Sequence, residues 1–373
     1  MKFTLQAGAL AEAIAAGISS VPSRPINPIL GGVLMEAQVG AVTLSSFNYD
    51  RATMRVVAAD VMDTDTAVVS GRLLAAVGAN LPKTAECTAT TSGNHMVITA
   101  GRSEYRLPLM HADDYPRLPE MTAADVIGTV DAAAFSDAVR AIGGFASTDP
   151  QPPELTALKF VCTPTSLTLS ATDRFMIGRR RLDWSGTTET SFNAVAADVL
   201  GTIKSLSDAS EIELLANGKT IGFRTSSTTV VSQVLDEEVA SLDRFLAPQD
   251  FSTACIVKTS ELVSMLKRAT AIASDTWTRV NLVADDGTLA VVTSASETGV
   301  IADAIEAEHA GRRRELTLSA RRLHSAMAAV DESQTTLAFK ETGHLIHIYP
   351  GASPSPLATP PVDTAAILIG MRA

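Results

Sequence analysis

The sequence predicts an α+β protein of three similar units, each packing two helices against antiparallel sheet. Recurrence carries this reading. Three stretches start as a short strand and run into an Ala-rich amphipathic helix: FTLQAGALAEAIAAGISSV from Phe3, GTVDAAAFSDAVRAIGGFAS from Gly128 and CIVKTSELVSMLKRATAIAS from Cys255. Their core-facing positions are Leu10, Phe135 and Leu262, then Ile14, Val139 and Leu266, at offsets of 125 and 127 residues both times. A second strand-to-helix pattern recurs as VVSGRLLAAVGANL, AVAADVLGTIKSL and LTLSARRLHSAMAAV, with Leu74, Leu200 and Leu323 in register. Fixed offsets of this size mark repeated structural units, here of roughly 120 residues.

Within each unit the order is strand, helix, several strands, helix, then more strands. The first helix is expected over 7–19. Alternation with period two in LTLSA, EIELLA, TIGFRT, TTLAF and LIHIYP gives the strands. Asn217-Gly218 and Asp286-Gly287 sit between apolar runs, where a tight hairpin turn needs positive φ. The strand ends VTLSSFNYD, LTLSATDRF and AVVTSASET align at Leu44, Leu169 and Val292. Pro-containing acidic stretches, MHADDYPRLPEMTAAD and LDEEVASLDRFLAPQD, read as junctions. Domains are therefore expected at 1–120, 121–247 and 248–373.

Composition bounds the function. The chain has 373 residues, 46% of them hydrophobic, enough for several cores. The longest apolar runs are too short for a membrane span, and the start MKFTLQAGAL lacks a signal-peptide core. Three cysteines, Cys87, Cys162 and Cys255, argue against a disulfide scaffold. A cytoplasmic protein is expected. Thirty Lys and Arg against 41 Asp and Glu give a net charge of −11, which excludes a wholly basic DNA coat but permits a local basic surface.

No catalytic set is visible. Gly218-Lys219-Thr220 lacks the earlier glycine of a phosphate loop and falls in a hairpin turn. His344 and His347 are three apart on an expected strand, so they point to opposite faces and share no metal. His95, His111, His309 and His324 are scattered, no Cys has a CxxC partner, and nucleophile-elbow, HExxH and dinucleotide motifs are missing. No enzyme activity, cofactor or metal is expected. An enzyme on a repeated α+β scaffold stays as a remote alternative, and a peptide-sequestering monomer as another.

Several stretches resemble the bacterial DNA sliding clamp, the β subunit of DNA polymerase III. SRPINPILGGVLMEA, from Ser23 to Ala37, is similar to that family's RPTLPILGNLLL stretch. SATDRFMIGRR, from Ser170 to Arg180, is similar to its ATDRFRLA motif. MHADDYPRL follows MPAEDFPNL, and the ending ILIGMRA resembles YLLMPVRL. The matches run in order over the full length.

The resemblance implies a processivity factor: a head-to-tail homodimer closed into a ring of six domains around duplex DNA. Weak, sequence-independent phosphate contacts suit a ring that must slide. It implies DNA contacts at Arg24, Arg72, Arg140, Lys204, Lys267, Arg268 and Arg321. Lys83 and Lys258 are also expected on helices, and the first helix carries no cation. It places Tyr105 and Leu107 on one side of the dimer contact and Ile272 on the other.

A second implied site is a cleft read by short peptides of the polymerase III catalytic subunit, the clamp loader and other clients. Carried over by position, it comprises Leu155, Thr172, Arg174, Phe175, Met176, Ile177, Arg244, Phe245, Trp277, Ser319, Arg322, Gly343, Leu345, Leu368, Ile369, Gly370, Met371 and Arg372. The chain departs from the family here. Gly370 stands for Pro, Ala373 for the terminal Leu, Ser319 and Arg322 for Asn and Tyr, and Ala240 for a linker Pro; outside the cleft, Pro153-Glu154 replaces an aromatic pair near the second domain's first strand. These departures raise an alternative: a specialised or inhibitor-tolerant paralogue with altered specificity, serving antibiotic resistance.

Overall fold

The computed structural model describes residues 1–206, 209–237, 239–272, 279–293, 300–330, 332–353, 355–360 and 363–371. The chain forms two compact units: 1–133 with 184–188 and 198–234, and 134–183 with 189–197 and 235–373.

Each of the recurring stretches folds as a strand running directly into a helix. Lys2–Gln6 leads into α1 (Ala7–Gly17), Val126–Asp131 into α3 (Ala132–Gly143) and Thr253–Lys258 into α6 (Thr259–Ile272). The second pattern gives Asp65–Ser70 into α2 (Gly71–Asn80), Thr190–Val195 into α4 (Ala196–Ser205) and Arg314–Ser319 into α7 (Ala320–Ala326). The junction stretch 235–250 contains a single turn, α5 (Asp243–Leu246). α1 ends two residues before the expected Ser19. Lys83 lies past the end of α2, and Lys258 closes a strand, so neither belongs to a helix face as expected.

The first unit is built on a 14-stranded sheet in which Thr228–Gln233 pairs antiparallel with Arg51–Ala58. Leu10 and Ile14 of α1 and Leu74 of α2 are buried together with Phe3, Met35 and Leu44, so the helices' apolar stripes cover the sheet. The second unit holds a nine-stranded sheet, where Met176–Asp183 pairs with Thr364–Ile369, and a four-stranded one. Its α6 packs against α7. Gly218 and Gly287 have φ of +88° and +74°, the left-handed backbone their hairpin turns require. No helix among the described residues is long and apolar enough to cross a membrane.

Several strands are left without a full partner on one side among the described residues, and two of them lie toward opposite ends of the chain. Ser103–Met110 pairs with His95–Ala100 along its length but with Asp65–Ser70 only at Leu109 and Met110. Ala302–Glu306 ends the four-stranded sheet, paired on one side with Thr288–Val292.

A candidate peptide cleft and its surroundings

The segment between strands Ser166–Thr172 and Met176–Asp183 is a turn locked by its own side chains. The Asp173 carboxylate accepts from the backbone N–H groups of Phe175 and Met176 at 2.9 and 2.8 Å. The Thr172 hydroxyl donates to the Met176 carbonyl at 2.6 Å and accepts from Arg174 N–H at 3.1 Å. These bonds hold Arg174 at φ +77°, a costly conformation for a residue with a side chain. The turn projects the Phe175 ring, 41% exposed, away from the sheet.

Arg322 of α7 reaches this turn. Its Nη1 lies 3.0 Å from Asp173 Oδ2, and its guanidinium carbon sits 4.1 Å from the centre of the Phe175 ring. The planar cation thus makes an ion pair and a stacking contact together, which an aromatic side chain at this position would not. Ser319 caps α7, its hydroxyl accepting from Arg322 N–H at 3.4 Å. A second such pair stands at the junction stretch, with the Arg244 guanidinium 4.5 Å from the Phe245 ring centre.

Beside these pairs lies an apolar cluster of Ile177, Leu246, Phe251 and Ile367, with Leu242, Phe245 and Leu345 packed on it. The C-terminal strand is tied in by its backbone: Ile369 N–H donates to the Phe175 carbonyl at 2.8 Å, Gly370 N–H to the His344 carbonyl, and Met371 N–H to the Thr317 carbonyl at 2.7 Å. Gly343 turns the chain at φ +98° and accepts from Arg314 at 2.6 Å through its carbonyl. The sequence-derived residues from 172–177, 244–245, 319–322, 343–345 and 368–371 therefore share one network. Met176, Ile177, Ser319 and Leu368 are buried within it as structural support. Leu155 is partly buried on a short turn, and its neighbour Glu154 is 3.9 Å from Arg174. Trp277 and Arg372 lie outside the described residues. Asp173 was missed by position-wise comparison, although a carboxylate two residues before an exposed Phe in a TDRF turn signals a side chain that builds the turn.

The expected DNA-contacting cations are all exposed. Arg140 is engaged by Asp137 at 3.0 Å and Arg268 by Asp303 at 2.6 Å. Leu107, expected at the dimer contact, is buried in the core of its own unit, with Tyr105 packed against the same core. A strand's side chains alternate between the two faces of a sheet, so Glu104 and Arg106 lie exposed on the face opposite that core. The side chain of Ile272 lies outside the described set.

The chain's thiols are poor nucleophiles, since burial pushes Cys87 up to about 11 and Cys162 and Cys255 to about 12. Among the described residues no group of three His, Cys, Asp or Glu side chains is placed to hold a metal ion.

Comparison with known proteins decides the family. Residues 1–119 match the profile of the DNA polymerase III beta subunit, N-terminal domain, and residues 244–355 that of its C-terminal domain. The beta sliding clamp of Micrococcus luteus is 32% identical over 293 residues, 77% of this chain and 93% of that protein. The chain belongs to the bacterial beta sliding clamp family. It is a processivity factor of DNA replication and not an enzyme. The Streptomyces coelicolor clamp is 28% identical, with 91% of each chain covered. A beta sliding clamp homolog named GriR from Streptomyces muensis is 29% identical, with 73% of each chain covered. The fold agrees with the solved clamp of Bacillus subtilis, at a TM-score of 0.90 and 20% identity over 100% of this chain and 99% of that one. A Pseudomonas aeruginosa clamp solved with griselimycin bound gives a TM-score of 0.90 at 16% identity, covering 100% of both chains.

Proposed function

We propose that this clamp works in the cytoplasm as a head-to-tail homodimer of three-domain chains, divided near 120/121 and 247/248, that encircles duplex DNA. Two of the open sheet edges, Ser103–Met110 and Ala302–Glu306, support the dimer, because unpaired edge strands need cover and two such edges in trans supply it. Arg24, Arg72, Arg140, Lys204, Lys267, Arg268 and Arg321 would give sparse phosphate contacts without base reading. Client peptides of the polymerase catalytic subunit and clamp loader would dock on the cleft around Thr172–Ile177 and Leu368–Met371, with Arg244, Phe245, Arg322 and Leu345 at its rim. The observation that carries this reading is the exposed Phe175 ring beside the Ile177–Leu345 apolar cluster, an arrangement suited to an extended peptide with apolar anchors. Retention on nicked circular DNA is the test. A ring held by topology stays on the circle at moderate salt and falls off once the circle is linearised, whereas equal release from both forms refutes encirclement.

A second reading is favoured by one feature, Arg322 held by Asp173 and stacked on Phe175. This contact occupies the aromatic face that a client would use. It supports a specialised clamp with altered client specificity, or one tolerant of inhibitors that imitate client peptides. Titration of one apolar-anchored peptide into the wild type and Arg322→Ala separates the two readings, since an ordinary cleft binds both alike.

A further inference from the structure

We propose that the first unit carries a second peptide-binding cleft, built as a repeat-equivalent of the client site and centred on Tyr49 and the 117–119 strap. It rests on the client-site reading for the kind of ligand, an extended peptide, and on its own geometry for the site.

The equivalence is residue by residue. Tyr49 and Arg174 are the described non-glycine residues at positive φ, +75° and +77°, and they are 125 positions apart. Asn48 Oδ1 accepts from the N–H groups of Asp50 and Arg51 at 3.1 and 2.7 Å, as Asp173 does from Phe175 and Met176. The Asp50 carbonyl accepts from Gln233 N–H at 2.9 Å, as the Phe175 carbonyl does from Ile369. Val234 N–H donates to the Lys219 carbonyl at 2.9 Å, as Gly370 does to His344, and Lys219 and His344 are again 125 apart. The turn, the strand that joins it and the exit of that strand are therefore reproduced.

What differs is the covering. The counterpart of Phe175 is Asp50, and the exposed aromatic is shifted to Tyr49, half exposed, whose ring meets Phe47 edge-on at 5.4 Å. Phe47, Tyr49, Leu118 and Pro119 line a cleft of about 210 Å³, room for one anchoring side chain, and the strap also lines an adjoining groove of about 1030 Å³. One polar group points to a ligand. Arg117 is exposed on the strap and forms no ion pair among the described residues. An apolar anchor followed by a carboxylate complements this set, the anchor against Tyr49 and Leu118 and the carboxylate on Arg117.

The test uses the full-length protein and a photo-crosslinkable probe, Leu-Asp-Leu-Phe with benzoylphenylalanine in place of Phe. Calorimetry counts the equivalents bound, and mass spectrometry maps the crosslinks. Two equivalents per chain are expected, with crosslinks near 117–122 and near 172–177. Arg117→Glu, an exposed change that leaves the melting temperature in place, should weaken only the first event by tenfold or more. Replacing the probe's Asp with Asn should do the same, whereas Phe175→Ala should weaken only the other. One equivalent that crosslinks at 172–177 and ignores Arg117→Glu overturns the second cleft and leaves the client site standing. One equivalent at 117–122 sustains the second cleft and removes the client-site reading, and no binding at all overturns both.

Discussion

The guanidinium of Arg322 lies 4.1 Å above the Phe175 ring while its Nη1 holds Asp173 at 3.0 Å, so one side chain covers the exposed aromatic of the cleft and pins the turn that presents it. Both partners of the ion pair are largely shielded, with side chains 13% and 17% exposed, which keeps the contact from being screened as a surface pair would be. A peptide with apolar anchors must displace the cation or settle for less of the ring.

Arg322→Ala should therefore raise affinity for an apolar-anchored peptide about 2- to 5-fold, the scale of a partly buried cation–π contact of roughly 0.5–1 kcal/mol. Asp173 keeps its two backbone donors in that variant, so the turn should survive. Isothermal titration of both proteins with Leu-Asp-Leu-Phe reads the change. Unchanged binding would make the cleft an ordinary one, and weaker binding would mean that Arg322 helps the client rather than competing with it.

Restoring the family's Pro at position 370 should damage the protein rather than repair its cleft. Gly370 N–H donates to the His344 carbonyl, and Pro has no N–H to give. A Cβ at this position would also lie 2.7 Å from Leu316 Cδ1 and 2.9 Å from the same His344 carbonyl. An orphaned carbonyl and an overpacked contact together cost about 2–5 kcal/mol. Gly370→Pro should thus lower the melting temperature by several degrees, as differential scanning fluorimetry would record. A melting curve that overlays the wild type would show that the chain end relaxes freely.

The dimer contact calls for a different substitution from the one that sequence comparison suggests. Leu107→Arg buries a charge in the core of its own unit and should unfold it, so a shift to monomer would be uninterpretable. Leu109 N–H donates to the Asn94 carbonyl, and hydrogen-bonded pairs alternate along an antiparallel ladder. The backbone groups of Glu104 and Arg106 therefore face the open edge. Arg106→Pro removes one outward N–H while leaving the inner ladder intact. Light scattering should find Arg106→Pro shifted toward monomer at a wild-type melting temperature. A stable dimer would place the subunit contact on another edge.

The repeat pattern made the helix positions legible because Leu10, Phe135 and Leu262 answer to local periodicity, which burial then enforces. The cleft was legible by position but not by contact. Nothing in the spacing of Asp173 and Arg322, 149 residues apart, says that they meet, since the pairing of Met176–Asp183 with Thr364–Ile369 brings their elements together. Sequence alone also could not tell which of the cleft positions face outward. Met176 and Leu368 sit on strands whose alternation turns them inward, whereas Phe175 lies on the turn and points out. Lys258 failed as a helix cation for a related reason: strand and helix join without a gap, and the last strand residue looks like the first of the helix.

Acid should weaken the second unit through a single buried histidine. His347 is 1% exposed, packed 5.0 Å from the Phe251 ring centre and within 3.2 Å of the Gln249 amide nitrogen. Burial, and next the charge of Lys340, hold it down at about 4, against an ordinary value near 6.5 in the unfolded chain. Between those two values the unfolded chain takes up a proton that the folded chain refuses, so stability falls as pH drops from about 6.5 to about 4 and is unaffected by this residue above that window. The loss at the acid end is roughly 3 kcal/mol. His324, lowered by burial and then by Lys267, acts in the same direction. His347→Gln cannot titrate and should flatten the slope. Urea unfolding of both proteins at pH 7.5, 6.0, 5.0 and 4.5 measures it. The wild type should lose its midpoint steadily below pH 6.5 while the variant, starting lower from its imperfect packing, loses much less. Equal slopes in the two proteins would assign the acid sensitivity to other titrating groups, His324 among them, and clear His347 of it.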